Sequence, residues 1–570
     1  MSDKTVYDEN YNLQRALEVA DYCMHDTRLV TCLALSENID TMLDTYSSLY
    51  YLPQREVFSK RAIAKNDGPF LMAMIKMNKY VYTPEGHEAQ VWRIDGGMVF
   101  EPAKKSTFDY AVCLDFESMY PKNCIHANLS PECLVESVRF CDAFEKKVVF
   151  DRISAEFQYP KYTVAVSEHN ISVFDREIDG LCRFLLAWGF AERKKYKTLA
   201  KNETDPVKKK FYEAMQYTIK IFINSVYGTM NNQFFLLANS LCSEACTTIG
   251  RTFLRSLSGD TTVTSNRGFN GKLLENGNII KLFNPYTHKL EDLVLEGFPE
   301  QEERYAYVVY GDTDSIFVEI SNCTDFESAE KYGIAMARSI NSKFVDLGMN
   351  IELEYVIKKM LLSKKKKYCV RKETASGTAD IYKGVSTVRT DYCSWHKNTL
   401  REVIEQLLDS RSQESVVSFI KQKFREAMEG ILTLEIPYET FTISSHYNSK
   451  AMNPLTGIVK KHNTMEGVEL IDDNYRYLYT VERAKGYTKP EEIRLVVEKK
   501  DPVLKLAALK EAFSWTNKSL IPVHRQIFFP GFRHDLYLPS MQKIMQLFMN
   551  AAGDYFDPEV TKQIRDEFRV

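Results

Sequence analysis

The stretch Tyr305-Ala-Tyr-Val-Val-Tyr-Gly-Asp-Thr-Asp-Ser-Ile-Phe-Val-Glu319 decides the fold at the centre of this chain. Two runs of β-branched and aromatic residues flank Gly311-Asp-Thr-Asp314, a pattern that predicts two strands joined by a tight polar turn. Such a turn would hold Asp312 and Asp314 rigidly at a sheet edge. Because a bare Asp-x-Asp turn is more often structural than functional, this stretch needs a second acidic position before it indicates chemistry.

That second acidic position follows another predicted strand. The apolar run Tyr110-Ala-Val-Cys-Leu114 leads directly into Asp115, and Pro121 ends the extended segment. An aspartate in this position is costly to bury unless a cation lies opposite, and Mg²⁺ prefers carboxylate ligands. Two aspartates from separate strands are what a two-metal phosphoryl-transfer site requires.

Between the two aspartates lies a predicted helix with one polar face. At helical spacing this face carries a cation, an amide and an aromatic ring, supplied by Gln216, Lys220, Asn224 and Tyr227. Apolar residues fall on the other sides, namely Ile219, Phe222, Ile223 and Val226. Upstream, Arg193 and Lys197 also share a helical face, so two helices would present three cations to one polyphosphate. An ordinary amphipathic helix with solvated polar residues is the alternative for this pattern alone.

Composition limits the remaining possibilities. The chain has 570 residues, of which 44% are hydrophobic, and a net charge of −3, so it can form several folded domains. Its bulk charge does not indicate a nucleic-acid binder. Twelve cysteines without a CxxC pair indicate reduced thiols in an intracellular, not secreted, protein, and the apolar runs are too short to span a bilayer. Helical blocks around a strand-rich centre predict an α+β fold.

Together these residues resemble the family B DNA polymerases and follow that family's order. Asp115-Phe-Glu-Ser-Met-Tyr-Pro121 is similar to motif A, Lys220-x-x-x-Asn-Ser-x-Tyr-Gly228 to motif B and Tyr310-Gly-Asp-Thr-Asp-Ser315 to motif C. Further matches are Lys365-Lys-Lys-Tyr368, Glu354, and the pair Arg193 and Lys197 of the fingers helix. The pattern resembles polymerases of large DNA viruses, for which the location would be the host nucleus or cytoplasm.

The resemblance implies a right-hand fold with an antiparallel palm sheet, two-helix fingers and a mostly helical thumb. We expect the palm at residues 96–180 and 233–390, with a surface insertion at about 256–304. The fingers would comprise 181–232 and the thumb 391–570. Residues 1–95 would be a remnant of an exonuclease domain with its linker.

The resemblance also implies the site residues. Asp115 and Asp314 would bind two Mg²⁺ ions, for which Mn²⁺ can substitute, with the backbone carbonyl of Phe116 as a further ligand and Asp312 as a nearby carboxylate. The triphosphate and sugar would contact backbone N–H groups of Ser118 and Met119, the ring of Tyr120, and the cations Arg193, Lys197 and Lys220. Asn224 and Tyr227 would line the nascent base pair. Primer–template DNA would contact Gly228, Glu354, Lys365, Lys366, Lys367 and Tyr368.

The chain departs from the family pattern before the palm. Only Tyr22-Cys-Met-His-Asp26 resembles an exonuclease motif, so we expect no complete 3′–5′ exonuclease and a truncated or split polymerase. The family's linker motif appears as Ile94-Asp-Gly-Gly97, without its tyrosine. If a separate chain supplies the missing half, residues 1–100 would contact it, through apolar side chains such as Leu13, Leu17 and Leu29.

These features predict template-directed addition of dNTPs to a primer 3′ end, with release of pyrophosphate, in DNA replication. One alternative is a polymerase that uses RNA templates or rNTPs, against which the absence of a Tyr-x-Asp-Asp signature and the presence of Tyr120 argue. The other is a catalytically inactive DNA-binding subunit. Such a copy should have lost acidic residues or Lys220, and all of them are present.

Overall fold

The structure is a computed structural model and describes most of the chain between residues 39 and 432, with shorter stretches elsewhere. The described ranges are 39–59, 65–80, 91–100, 102, 106–257, 279–283, 286–294, 306–320, 323–345, 347–387, 392–432, 443–446, 476–481, 493–497, 512–516, 519–522, 545–546, 548–556 and 558–568, with scattered positions between 20 and 32. Within these ranges, no helix combines the length and the apolar character needed to cross a bilayer.

Helices occur on both sides of the strand-rich centre. They are α1 (Ile39–Tyr50), α2 (Gln54–Ser59), α3 (Asp67–Lys76), α4 (Met119–His126), α5 (Ala143–Glu156), α6 (Leu181–Asn202), α7 (Pro206–Thr229), α8 (Ser240–Leu257), α9 (Phe326–Phe344), α10 (Ser394–Leu408), α11 (Gln413–Leu432) and α12 (Pro558–Phe568). The strands are β1 (Ser106–Phe116), β2 (Leu134–Arg139), β3 (Tyr162–Val166), β4 (Asn170–Asp175), β5 (Ile279–Phe283), β6 (Leu290–Val294), β7 (Ala306–Asp312), β8 (Ser315–Ile320), β9 (Ile351–Lys364), β10 (Lys367–Thr374), β11 (Gly377–Lys383), β12 (Ile443–His446), β13 (Arg476–Val481), β14 (Ile493–Val497), β15 (Ala512–Thr516) and β16 (Ser519–Pro522).

A six-stranded antiparallel sheet in the order β11-β10-β9-β1-β8-β7 forms the centre of the molecule. Strand β1 lies inside this sheet, between β8 and β9, and its residues 111–114 are buried on both faces. Its alternate residues enter two different cores: Val112, Leu114 and Phe116 pack toward helices. Ala111 and Cys113 pack on the opposite face with Tyr310 and Phe317. This explains why the predicted strand reads as a continuous apolar run.

Helices α8 and α9 cover the first face of the sheet. Phe344 stacks on Phe116 at a ring-centroid distance of 5.9 Å, and Phe253 contacts Phe344 edge-on at 5.1 Å. All three rings are essentially buried. Such aromatic contacts add to burial because offset and edge-on ring geometries are favourable. The end of β1, where Asp115 lies, is therefore held on a rigid support.

Helices α6 and α7 form an antiparallel pair within the region expected for the fingers. The turn between them is stabilised by Asp205, whose carboxylate accepts a hydrogen bond of 2.9 Å from the N–H of Val207, and by Pro206 in the first helical turn. The two helices approach closely at Gly189, where a Cβ atom would lie 2.9 Å from Ile223 Cγ1. The first helix ends at Asn202 and the second begins at Pro206.

Helices from the N-terminal region pack directly on this pair. Phe70 of α3 contacts Phe235 at 5.0 Å, and Tyr50 of α1 contacts Phe222 at 6.1 Å. The buried amide Nδ2 of Asn66 donates to Ser225 Oγ at 2.9 Å. Leu13 and Leu17 lie outside the described residues, and Leu29 is 48% exposed. The partner contact expected for residues 1–100 stays a prediction.

Two regions contain features that the sequence did not predict. In the segment at about 256–304, whose role as a surface insertion stays a prediction, the described part includes the hairpin β5–β6 and Tyr286, which is only 3% exposed. Tyr286 packs against His126, Tyr159 and Phe253. After residue 390 the described helices are accompanied by an antiparallel sheet in the order β12-β13-β14-β15-β16.

Candidate active site

The two predicted metal ligands lie side by side at one end of the central sheet. Asp115 pairs with Ser315 across strands β1 and β8. Asp314 precedes Ser315 in the β7–β8 turn, and its carbonyl accepts a 2.8 Å hydrogen bond from the N–H of Phe116. The turn is closed by a 2.7 Å bond from the N–H of Asp314 to the carbonyl of Asp312. Strand pairing thus brings together two residues that are 199 positions apart in sequence (314 − 115).

Burial and neighbouring negative charges disfavour the ionised forms of Asp115 and Asp314. Burial, and then the charges of Asp314, Glu354 and Glu352, raise the pKa of Asp115 from 3.8 to about 8. Burial also raises the pKa of Asp314, with contributions from Asp312 and Glu354. Like charges in a half-buried site favour protonation unless a cation neutralises them. Such a concentration of uncompensated negative charge is typical of a functional site.

The donor chemistry of this pair suits Mg²⁺. Among the described residues, no three or more Asp, Glu, His or Cys side chains are grouped so as to hold a metal by themselves. Asp115 and Asp314 instead offer two hard oxygen donors, and Mg²⁺ is commonly bound by one or two carboxylates, with substrate phosphates and water as the other ligands. Asp312 has other partners: Thr313 Oγ1 at 3.0 Å and Lys366 Nζ at 3.6 Å. These contacts favour the supporting role expected for Asp312.

The raised pKa of Asp115 makes a prediction for the metal-free protein. Since the folded chain retains a proton that the unfolded chain loses, Asp115 lowers stability as the pH rises from about 4 to about 8. In EDTA, Asp115→Asn should therefore raise the thermal midpoint at about pH 8, on the order of 1–3 °C, and much less at about pH 5. The control is Asp109→Asn on the same strand, with an exposed side chain. A lower midpoint for Asp115→Asn at about pH 8 would contradict the assignment.

Three residues near the aspartates have unusual backbone conformations. Ser118, Thr313 and Lys366 have φ values of 54°, 65° and 58°, in the left-handed region that non-glycine residues rarely adopt. Ser118 immediately precedes α4, and the first N–H groups of a helix lack helical partners. The backbone at Ser118 and Met119 therefore lies where an anion can be bound. Strained backbone of this kind often marks functional turns.

The cations expected on the fingers helices differ in burial: Arg193 is half-buried, and Lys197 and Lys220 are exposed. Burial lowers the pKa of Arg193, and its Nε atom is buried without a hydrogen-bond partner. The negative charge of the nearby Glu117 acts in the opposite direction and raises the pKa of Arg193. The pKa of Glu117 is itself lowered, mainly by the hydrogen bond with Lys122 and to a smaller extent by the charge of Lys197. Helix α6 thus directs two cations toward the segment that follows Asp115. A half-buried guanidinium whose buried Nε–H has no partner is suited to an anionic ligand.

The polar face of α7 is confirmed. Its apolar residues are buried, as predicted: Ile219, Phe222, Ile223 and Val226. Lys220 and Asn224 are exposed, and Tyr227 is half-buried. The ring of Tyr227 lies 4.5 Å from that of Tyr120, so the helix meets α4 through this aromatic pair. At Gly228 a Cβ atom would meet nothing within 4 Å, so this end of the face is open.

The β9–β10 turn carries the lysines predicted to contact DNA. The N–H of Lys366 donates to Tyr310 Oη at 2.8 Å, which ties this turn to strand β7. Tyr368 is only 6% exposed and packs on Tyr310 and Phe317 at 5.6 and 5.3 Å. Any effect of Tyr368 on DNA would therefore act through the position of the turn. Lys365, Lys367 and Glu354 are exposed.

Sequence reasoning missed one cation at this site, and it did not connect the segment around Ile94-Asp-Gly-Gly97 with the active-site turn. Arg251 on α8 donates hydrogen bonds to the carbonyls of residues 95 and 96, and the following residues Met98 and Phe100 bond the β7–β8 turn. The available signal was an arginine on a helix whose neighbouring positions are otherwise apolar or small. Tyr22 and Asp26, the expected exonuclease remnant, lie outside the described residues.

A family model described as DNA polymerase family B matches residues 52–520. The chain belongs to this family. It is 30% identical to the DNA polymerase of Fowlpox virus (strain NVSL) over 497 residues, which cover 83% of this chain and 49% of the relative. For the DNA polymerase of Orf virus (strain NZ2) the identity is 31% over 503 residues, with coverages of 83% and 49%. The DNA polymerase delta catalytic subunit of Drosophila melanogaster is 29% identical over 60% of this chain and 27% of its own length.

The fold has a counterpart among solved structures. The family B DNA polymerase from the archaeon Pyrobaculum calidifontis superposes with a TM-score of 0.54 at 18% identity, covering 92% of this chain and 55% of that protein. At this identity the likeness concerns the fold alone. The chain spans about half the length of the viral polymerases that it matches, 49% in each case.

Proposed function

We propose that this chain catalyses template-directed DNA synthesis in replication, adding dNTPs to a primer 3′ end with release of pyrophosphate. One observation carries the proposal: strand pairing places Asp115 beside Asp314, with raised pKa values, next to a helix N-terminus and a half-buried arginine. Carboxylates for divalent cations and cations for a triphosphate thus occupy one end of the sheet. This is the combination that nucleotidyl transfer requires.

In the proposed mechanism Asp115 and Asp314 would hold two Mg²⁺ ions, with the Phe116 carbonyl as a further ligand. When bound, these ions would activate the primer hydroxyl and stabilise the leaving pyrophosphate. The backbone N–H groups of Ser118 and Met119 bind triphosphate oxygens. Arg193, Lys197 and Lys220 neutralise the remaining charge, which increases at the leaving group as the bond breaks.

The proposed contacts with sugar and base come from the aromatic pair. The ring of Tyr120 lies 4.5 Å from that of Tyr227, and Asp314 adds to the effect of burial in raising the pKa of Tyr120. At this position the ring would pack under the incoming sugar and exclude a 2′-hydroxyl. Asn224 and Tyr227 would line the nascent base pair. Exposed Lys365 and Lys367, with Lys366, would contact phosphates of the primer–template without reading sequence, and Gly228 and Glu354 would adjoin the DNA.

In the same way we propose the domain division expected from the sequence. The palm would comprise 96–180 and 233–390, the fingers 181–232 and the thumb 391–570. Supporting observations are the central antiparallel sheet, which draws strands from both proposed palm segments, and the α6–α7 pair between them. A separate chain that supplies an N-terminal and exonuclease half, and the expectation that this chain lacks a complete 3′–5′ exonuclease, remain predictions.

Primer extension tests the proposal. With Mg²⁺ and all four dNTPs, the purified chain should extend a primed DNA template to its end, and EDTA should stop the reaction. Replacing the DNA template by RNA, or dNTPs by rNTPs, should lower the rate strongly. Binding of primer–template without extension would favour the inactive DNA-binding subunit. Incubation of a labelled single-stranded 3′ end without dNTPs tests the exonuclease expectation in the same assay.

A further inference from the structure

Residues 91–100, called here the crossing segment, connect helix α8 to the active-site turn. At one end, the N–H of Trp92 donates to Ser240 Oγ at 3.2 Å. At the other end, the carbonyl of Met98 accepts a 2.8 Å bond from the N–H of Thr313, and the N–H of Phe100 donates to the carbonyl of Gly311 at 2.9 Å. The segment therefore forms hydrogen bonds on both sides of the turn residue Asp312.

The middle of the crossing segment is bonded by Arg251 and Thr247 of helix α8. Arg251 Nη1 donates to the carbonyls of Asp95 at 2.8 Å and Gly96 at 3.1 Å, while Nη2 donates to Thr248 Oγ1 at 2.9 Å. Thr247 Oγ1 also donates to the Asp95 carbonyl at 2.8 Å. A planar guanidinium holds two acceptors in fixed geometry, which a lysine ammonium cannot reproduce. Arg251 thus determines how closely the next residue, Gly97, approaches the site.

Gly97 lies against both Tyr120, which is proposed to exclude a 2′-hydroxyl, and the β7–β8 turn. A Cβ atom at this position would lie 2.6 Å from Tyr120 Oη and 2.8 Å from Thr313 Cγ2. These distances leave no room for a side chain, so the backbone of Gly97 lies directly against the Tyr120 hydroxyl. The Tyr120 ring also lies 4.5 Å from the ring of Tyr227. The tyrosine therefore contacts both the crossing segment and helix α7.

We propose that Arg251 and Gly97 are specificity-determining positions, which keep Tyr120 from retreating when a ribonucleotide enters. The inference rests on the proposed function, in which Tyr120 excludes the 2′-hydroxyl. Arg251 is a positioning residue that acts through the crossing segment, and Gly97 is the contact. Without the arginine, the segment can move away from the tyrosine hydroxyl and the ring gains the space that a 2′-hydroxyl needs.

The first test compares kcat/KM for a dNTP and the matching rNTP on one primed template. Arg251→Gln should lower the dNTP-to-rNTP ratio about tenfold, and Arg251→Lys should give an intermediate ratio. Arg371→Gln is the matched control, because it removes a guanidinium bound to Asp380 at 2.8 Å in the β10–β11 region, away from Tyr120. It should leave the ratio unchanged. An unchanged ratio in Arg251→Gln, with a lower rate for both nucleotides, would overturn the proposal.

Tyr120→Val separates this inference from the proposed function. If Tyr120→Val lowers the dNTP-to-rNTP ratio and Arg251→Gln does not, Tyr120 excludes the 2′-hydroxyl as proposed and the inference about Arg251 is wrong. If Tyr120→Val leaves the ratio unchanged, Tyr120 does not exclude the 2′-hydroxyl, and the inference about Arg251 and Gly97 is wrong as well. Thermal unfolding midpoints of all variants show which of them fold.

A double-mutant cycle tests the Gly97 contact independently of Arg251. Gly97→Ala should lower kcat/KM for dNTPs about tenfold, because the new methyl group displaces the Tyr120 hydroxyl. In the Tyr120→Phe background, where that oxygen is absent, the same change should cost about threefold or less. Equal losses in the two backgrounds would show that the residues act independently and would overturn the contact.

Discussion

The chain carrying Asp314→Asn is expected to incorporate dNTPs about a thousand-fold more slowly than the wild type, or worse. The asparagine keeps the size of the side chain but removes the negative charge that a divalent cation requires. Because the backbone carbonyl of Asp314 accepts a hydrogen bond from the N–H of Phe116, the backbone around Asp314 should stay in place. Rapid-quench single-nucleotide incorporation measures the rate, and a fluorescence binding assay measures affinity for primer–template.

The matched control is Asp109→Asn, the same chemical change at an exposed position of β1 that pairs with Lys359 at 3.1 Å. It should incorporate nucleotides at nearly the wild-type rate. Both variants should bind primer–template as the wild type does. A rate for Asp314→Asn within about tenfold of the wild type would remove Asp314 from the catalytic site.

Lys220→Ala should lower kcat/KM for dNTPs about a hundred-fold. Its side chain is exposed on the polar face of α7, one turn before Asn224 and two turns before Tyr227, so it contributes little to folding. Its proposed role is to neutralise triphosphate charge that increases in the transition state. Lys220→Arg, which keeps the charge, should recover part of the loss.

Lys209→Ala provides the control on the same helix. Lys209 is exposed in the first turn of α7, about three turns before Lys220, and should tolerate the change. Steady-state incorporation at varied dNTP concentration distinguishes the two variants. Equal kcat/KM values for Lys220→Ala and Lys209→Ala would indicate that the lysine on the polar face is merely solvated.

Local patterns in the sequence predicted much of this site. The hairpin around Asp314, the strand before Asp115 and the buried face of α7 each depend on periodicity and turn residues within about fifteen positions. The structure agrees with all three. The resemblance to family B polymerases then supplied the order of the motifs, and the family comparison confirmed that the chain belongs to this family.

The features that were missed depend on contacts between distant residues. Nothing near Arg251 shows that its guanidinium binds carbonyls at positions 95 and 96, 156 and 155 residues away. Tyr286 lies in a segment rich in Gly, Asn and Thr, a composition typical of surface loops, yet its ring is buried among His126 and Phe253. The sheet β12–β16 consists of strands of four to six residues, which periodicity alone identifies poorly.

The most direct test of the central claim is single-turnover incorporation on four primed DNA templates that differ only at the first template base. With Mg²⁺, the wild-type chain should add the complementary dNTP to each primer at least about a hundred-fold faster than any other. Asp115→Asn should bind all four substrates and extend none of them at a comparable rate. Incorporation that ignores the template base, or persists in Asp115→Asn, would contradict template-directed synthesis at the Asp115–Asp314 site.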